Sequence, residues 1–204
     1  MIKNIIFDLG AVILDISLDA YVDELKRLAP NANFEFDHNK HAFYAQYEKG
    51  DLQELEFFEN MQSVINANVT IDELKKAWSK ILLNPYSKSK DFIDNLSSKL
   101  SLFILSNTNY SHRVQFDHIF NESWGENEFY NTFHQVYYSY KMGLIKPDKA
   151  IFEQVLQLEK IEPEQTLFID DNAKNIKAAK ELGLRVWHFK GPNDWDFIKK
   201  TFSL

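Results

Sequence analysis

The hydrophobic pattern of the chain has two rhythms. Short apolar runs with polar stops lie at 3–7, 102–105, 136–138, 166–169 and 184–187. Runs of this length, rich in β-branched and aromatic residues, predict buried strands. Elsewhere the apolar positions fall three and four apart, as on one face of a helix. Leu18, Tyr21, Val22, Leu25 and Leu28 predict a helix that ends at Pro30-Asn31. Phe43, Tyr44 and Tyr47 suit a second, broken at Gly50-Asp51. A third spans 52–65, with Leu55, Phe58 and Met61 on its apolar side. Thr70 followed by Glu73 is a capping box. It opens a helix carrying Leu74, Ala77, Trp78, Ile81 and Leu82, which Asn84-Pro85 ends. Further helices are predicted over 88–96, 111–120, 148–158 and 172–182, the last closing on Gly183. The stretch 121–133 is aromatic and polar by turns and yields no assignment, and 141–147 reads as a loop.

From residue 85 onward strands and helices alternate. That order implies βαβ units with right-handed crossovers, hence an α/β fold around a parallel sheet. No strand is expected between 34 and about 83, so about seventy residues of helix follow the first strand. Such an insert either covers one face of the sheet or caps a site. There is no internal repeat or low-complexity segment.

Composition narrows the chemistry. With 204 residues, 45% of them hydrophobic, the chain can bury a sizeable core. Its net charge is −7 and no basic run stands out, which argues against nucleic acid as a partner. An acidic protein that binds phosphate needs local positive charge or a metal. The absence of cysteine excludes disulfides, thiolate metal sites and cysteine nucleophiles. Met1-Ile2-Lys3 runs directly into a strand the fold needs, so no signal peptide is read. No stretch approaches the roughly 20 apolar residues of a membrane span. The expectation is a soluble, cytoplasmic protein without membrane partners.

The polar residues that stop the strands carry the chemistry. They are Asp8, Ser106-Asn107, Lys146 shortly after the third strand, and Asp170-Asp171. In a parallel sheet these ends share one edge, where ligands bind. Taken singly, each has an ordinary explanation: a strand end, a turn, a solvated charge, a helix cap. Together they gather three carboxylates, a hydroxyl and an ammonium. Clustered acids need a counter-charge. A hard cation with oxygen ligands, Mg²⁺ in phosphate chemistry, supplies it alongside Lys146. Ser106 and amides at a helix start can hold a phosphate oxygen. Asp8 then faces a phosphate as an oxygen nucleophile.

Phe7-Asp8-Leu9-Gly10-Ala11-Val12, Leu105-Ser106-Asn107-Thr108, Lys146-Pro147-Asp148 and Phe168-Ile169-Asp170-Asp171-Asn172 resemble, in order and spacing, the four motifs of the haloacid dehalogenase superfamily. The resemblance covers nearly the whole chain. It implies a Rossmann-like core over 1–16 and 85–204, with helices on both sheet faces, and a helical cap over 17–84. It further implies an Mg²⁺-dependent phosphohydrolase for a small phosphorylated metabolite. In that mechanism Asp8 becomes an aspartyl phosphate, Ser106 binds a phosphate oxygen and Lys146 holds both. Asp8, the Gly10 carbonyl and Asp171 ligate Mg²⁺, with Asp170 doing so directly or through water.

One position departs from the family pattern. The usual second aspartate, two residues after the nucleophile, is Gly10 here, which offers no proton. Three readings stay open: a leaving group that needs little protonation, another acid such as Asp15 or Glu48, or a catalytically weak protein that binds and regulates. The chain also resembles the α-D-glucose-1-phosphate phosphatase subgroup through its Asp-Leu-Gly, Ser-Asn-Thr-Asn and Asp-Asp-Asn runs and through Tyr47-Glu48-Lys49-Gly50-Asp51-Leu52. That resemblance implies a sugar 1-phosphate, whose anomeric alkoxide leaves readily. Candidate substrate contacts are Glu48, Lys49 and Gly50 in the insert, and Asn107, Thr108 and Asn109, with Arg113, after the second strand. His38, His41, His112 and His118 read as surface or structural, and 137–140 as packing.

Overall fold

The computed structural model describes residues 1–31, 41–65 and 67–204. Strand β1 (Asn4–Phe7) passes through a tight turn into β2 (Leu14–Ile16). Four helices follow: α1 (Leu18–Leu28), α2 (Ala42–Lys49), α3 (Glu54–Ile65) and α4 (Ile71–Ser79). Strand β3 (Leu82–Pro85) returns antiparallel to β2. Next come α5 (Ser89–Ser97), β4 (Ser101–Ser106), α6 (Tyr110–Trp124), α7 (Glu128–Thr132), β5 (Gln135–Tyr138) and α8 (Ser139–Met142). The chain closes with α9 (Lys149–Glu159), β6 (Thr166–Asp170), α10 (Ala173–Glu181), β7 (Arg185–His188) and α11 (Asp194–Phe202).

The main sheet has the order β5-β4-β1-β6-β7, and every pairing in it is parallel. Side chains alternate between its faces. Ile5, Phe7, Leu102, Ile104, Leu167 and Ile169 pack on one side with Phe92, Phe116 and Trp195. Ile6, Phe103, Leu105 and Phe168 pack on the other with Ile151, Phe152 and Val155. Both faces are covered, which is why these strands read as unbroken apolar runs. Helices α1–α4 have a separate core around Tyr21, Phe57, Phe58, Met61, Leu74 and Trp78.

The structure departs from the sequence expectations in three places. Helix α4 ends at Ser79, and Leu82, expected as its last apolar position, begins β3. The reason is pairing: Ser17 N donates to the Ile81 carbonyl at 2.8 Å and Tyr86 N to that of Ile13 at 2.9 Å. The apolar run 11–15 thus becomes one side of a two-stranded ribbon, and the expected boundary at 84/85 falls inside β3. The unassigned stretch 121–133 completes α6 and forms α7, whose Phe129 stacks on Phe120 at 4.2 Å. Helix α11 carries no expectation from sequence; its Trp195 is buried against Phe92. His38 lies outside the described residues. Tyr137 and Tyr138 are packed into the two sheet cores. Among the described residues, no helix is long and apolar enough to cross a membrane.

Candidate active site

Asp8 stands one residue beyond β1. Its backbone N–H donates to Ile169 at 2.8 Å, which continues the sheet pairing and sets Asp8 beside the end of β6. Between the two strand ends lies the buried ammonium of Lys146, 2.8 Å from Asp8 Oδ1 and 2.8 Å from Asp170 Oδ2. The Asn107 amide clamps the Lys146 backbone. Its Oδ1 accepts from Lys146 N at 2.9 Å, and its Nδ2 donates to the Lys146 carbonyl at 2.8 Å.

Asp170 is fully buried. Its Oδ1 accepts from Asn172 N at 2.8 Å, and Asn175 Nδ2 donates to both of its oxygens, at 3.1 and 3.0 Å. Asp171, the next residue, is exposed. One carboxylate oxygen each from Asp8, Asp170 and Asp171 lie within 4.8 Å of one another. Opposite corners of a magnesium octahedron are about 4.2 Å apart. The spacing and the all-oxygen donor set therefore fit a hard divalent cation.

Charge is costly here. Burial pushes the Asp8 carboxyl up to about 7; Lys146 opposes this while Asp170 and Asp171 add to it. Burial and then Asp170 also raise Asp171. Burial pulls the Lys146 ammonium down, but Asp170 and Asp8 outweigh it, so the net shift is upward. A cation among these carboxylates would hold all of them ionised.

A cavity of about 220 Å³ adjoins the cluster through Leu9, Gly10 and Asn107 and lies between α1, α2 and α4 and the ends of β1 and β4. Gly10, Ser106, Asn107, Thr108, Glu48 and His112 line it, and Ile16, Leu18, Trp78, Ile81 and Leu82 give it an apolar wall. Gly10 enters it from a turn in which Leu9 O accepts from both Ile13 N and Leu14 N at 2.9 Å. Ala11 in that turn is left-handed, with φ 57°. Burial pushes Glu48 up to about 7 despite the field of Lys146.

The expected residues separate into two groups. Asp8, Lys146, Asp170 and Asp171 form one cluster; Gly10, Ser106, Asn107, Thr108 and Glu48 share the adjoining cavity. Five do not line the cavity. Asn109 is a correction: its side chain is fully buried and caps α6, with Oδ1 accepting from His112 N at 3.0 Å. The Lys49 ammonium faces Asp51 at 3.7 Å. Gly50 packs against the Tyr140 backbone. Arg113 pairs with Asp117 at 2.6 Å. Asp15 accepts from the Tyr86 hydroxyl at 2.9 Å. Sequence reasoning passed over Asn175 and Ser139. Asn175 stands on the first turns of the helix after Asp170, a spacing that could have flagged it.

A doubly covered parallel sheet with a carboxylate–lysine cluster at its carboxyl edge, under helices inserted after the first strand, defines a class of α/β hydrolases. A model of the haloacid dehalogenase-like hydrolases matches residues 5–189, and the chain belongs to that family. It is 30% identical, over 96% of its length and 95% of the relative's, to the D-ribitol-5-phosphate phosphatase of Bacteroides thetaiotaomicron. A haloacid dehalogenase-family enzyme of that organism, solved with magnesium and inorganic phosphate, superposes with a TM-score of 0.87 at 28% identity, covering 97% of this chain and 99% of that one. A predicted hydrolase of the same type from Porphyromonas gingivalis gives 0.86 at 27% identity, covering 100% and 99%.

Proposed function

We propose that the protein is an Mg²⁺-dependent phosphomonoesterase for a small, neutral polyol or sugar phosphate. The observation that carries this reading is the Lys146 ammonium shared between Asp8 and Asp170 at 2.8 Å each. It holds Asp8 in place, and a cation bound among the carboxylates would keep the Asp8 oxygens ionised for attack.

Asp8, Asp171 and the Gly10 carbonyl would hold Mg²⁺, with Asp170 acting behind them because its oxygens already serve Lys146, Asn172 and Asn175. The bound ion would neutralise the carboxylates and the phosphate dianion. An Asp8 oxygen attacks phosphorus, and the bond from phosphorus to the ester oxygen breaks. The alkoxide takes a proton from solvent water and leaves as an alcohol, and the proton released when water later attacks the intermediate restores the balance. Water then attacks the aspartyl phosphate, releasing inorganic phosphate and freeing Asp8. Ser106 and Lys146 hold phosphate oxygens through both steps. Helices α1–α4 act as a cap that limits water at the acyl phosphate.

The cavity favours a neutral leaving group. Among the described residues that line it none is a lysine or arginine that could pair with a second anion, and the Glu48 carboxyl suits hydroxyls. The near-full-length similarity to a D-ribitol-5-phosphate phosphatase supports a polyol phosphate. Gly10 favours a leaving group that needs little protonation, and so keeps a sugar 1-phosphate as the second reading. The test is phosphate release from ribitol 5-phosphate, sugar 1-phosphates, sugar 6-phosphates and phosphoglycerate, with and without Mg²⁺, for wild type and Asp8→Asn. Metal-dependent release that Asp8→Asn abolishes, with phosphoglycerate the poorest substrate, is expected. No release above the variant's background would overturn the enzymatic reading in favour of a binding protein.

A further inference from the structure

The last turn of α2 is moored to the sheet edge at three points. Ser139, fully buried at the start of α8, is the first. Its Oγ accepts from Thr108 N at 2.9 Å and lies 2.5 Å from the Glu48 carbonyl and 3.1 Å from that of Thr108. The hydroxyl has one proton for two carbonyls, and the shorter contact gives it to Glu48. The second point is Gly50, with φ 86°, where an added Cβ would stand 2.2 Å from the Tyr140 carbonyl oxygen. The third is the Tyr47 hydroxyl, 2.6 Å from Ser111 Oγ, which itself donates to Glu54 at 2.7 Å.

These contacts place one hydroxyl between the two walls of the cavity. Thr108 belongs to the loop that follows Ser106, and Glu48 belongs to the helical insert. Both line the cavity, and Ser139 Oγ is bonded to the backbone of each. Any drift of α2 relative to the phosphate end of the site would first lengthen the Ser139–Glu48 bond. We propose that Ser139 is a positioning residue: it sets the Glu48 carboxylate over the leaving group and so fixes leaving-group selectivity. The proposal rests on the phosphomonoesterase reading for its kinetic consequence, but not for the mooring itself.

The experiment compares wild type, Ser139→Ala, Glu48→Gln and the double variant. KM and kcat are measured for ribitol 5-phosphate and for p-nitrophenyl phosphate, whose leaving group has no hydroxyls for Glu48 to hold. The inhibition constant of inorganic phosphate with Mg²⁺ is measured alongside. Losing one such bond predicts about a tenfold rise in KM for ribitol 5-phosphate in Ser139→Ala. The p-nitrophenyl phosphate and inorganic phosphate constants should stay within about twofold. Glu48→Gln should show the same selective loss, and the double variant should add little, because both changes break one device. Equal weakening of both substrates and of inorganic phosphate, or fully additive losses, would mean that Ser139 only supports the 106–108 loop. Ser139→Cys keeps the volume but donates weakly. It should give an intermediate selective loss and serves where the alanine variant does not fold.

Hydrogen exchange separates this inference from the function. The Gly50 and Asp51 amides bond back to Tyr47 and Gln46, so they report on the end of α2. Their exchange should quicken about tenfold in Ser139→Ala, whatever the wild type hydrolyses. Unchanged exchange would overturn the mooring. Wild-type inactivity on every phosphate would overturn the enzymatic reading alone.

Discussion

Asp8→Asn should end turnover and, in the absence of metal, stabilise the fold. Burial, opposed by Lys146 but helped by Asp170 and Asp171, pushes the Asp8 carboxyl up from 3.8 to about 7. The folded state therefore holds a proton that the unfolded state gives up near pH 4. The sign follows from linkage: the favourable contribution is complete below the unfolded value and is lost as pH rises through 7. Asparagine does not titrate, so the variant escapes this loss. Asp171 and Glu48 also titrate high, but they are common to both proteins and largely cancel in the comparison.

Three pKa units at about 1.4 kcal/mol each give a full effect of about 4 kcal/mol. Between pH 5 and pH 8.5 the folded and unfolded states differ in proton content over about two units, so about 3 kcal/mol appears in that window. For a chain of this size that is about 6–12 °C of Tm. The assay is thermal unfolding of both proteins in EDTA at the two pH values. Asp8→Asn should gain on wild type as pH rises. A Tm difference that stays constant from pH 5 to 8.5, or that narrows, would refute the electrostatic account of the cluster.

Three further outcomes follow from the same geometry. Mg²⁺ at about 100 times its dissociation constant should raise wild-type stability by about 2.7 kcal/mol at pH 8 and by much less at pH 5, since protons compete for the carboxylates; thermal shift reads this, and Asp171→Asn should blunt it. Asn107→Ala removes both bonds that clamp the Lys146 backbone and should cost about 2–3 kcal/mol in denaturant unfolding, with lowered kcat. Gly50→Ala drives a Cβ into the Tyr140 carbonyl at a left-handed φ, so α2 must lift; KM for polyol phosphates should rise and amide exchange at 49–51 should quicken.

How much of this is visible in the sequence depends on how local each interaction is. The strands at 3–7, 102–105 and 166–169 were legible because both faces of the sheet are buried and 5–7, 102–105 and 167–169 are apolar throughout. Asp8, Lys146, Asp170 and Asp171 were legible as residues that stop or follow such strands. The ribbon of β2 and β3 was not, because neither three- or four-residue strand exists without its partner across the insert. Asn107 and Ser139 act across 39 and 91 residues of chain, and an amide or hydroxyl carries no sign of so distant a partner. Asn109 differs: it stands one place before α6, with its bond three residues on, so its capping role was readable.

The glycine where the family pattern has an acid is not required by the backbone. A Cβ at Gly10 would meet Ile16 Cγ2 at 3.6 Å and Cδ1 at 3.8 Å, ordinary contacts. The position also lies outside the residues with positive φ. Glycine there therefore relieves no strain, and Gly10→Asp is a structurally admissible change. It should fold with a Tm within about 4 °C of wild type, the span of about 1 kcal/mol in a chain this long. A general acid contributes about 10²–10⁴ to rate where the leaving group needs a proton and far less where it does not. Gly10→Asp should thus raise kcat for ribitol 5-phosphate more than for p-nitrophenyl phosphate, whose phenolate leaves unaided. A gain confined to the alkyl ester would identify proton delivery as what the glycine gives up. Equal change on both esters would mean that the wild-type site already supplies the proton from elsewhere, and Glu48, in the same cavity, would be the first group to replace.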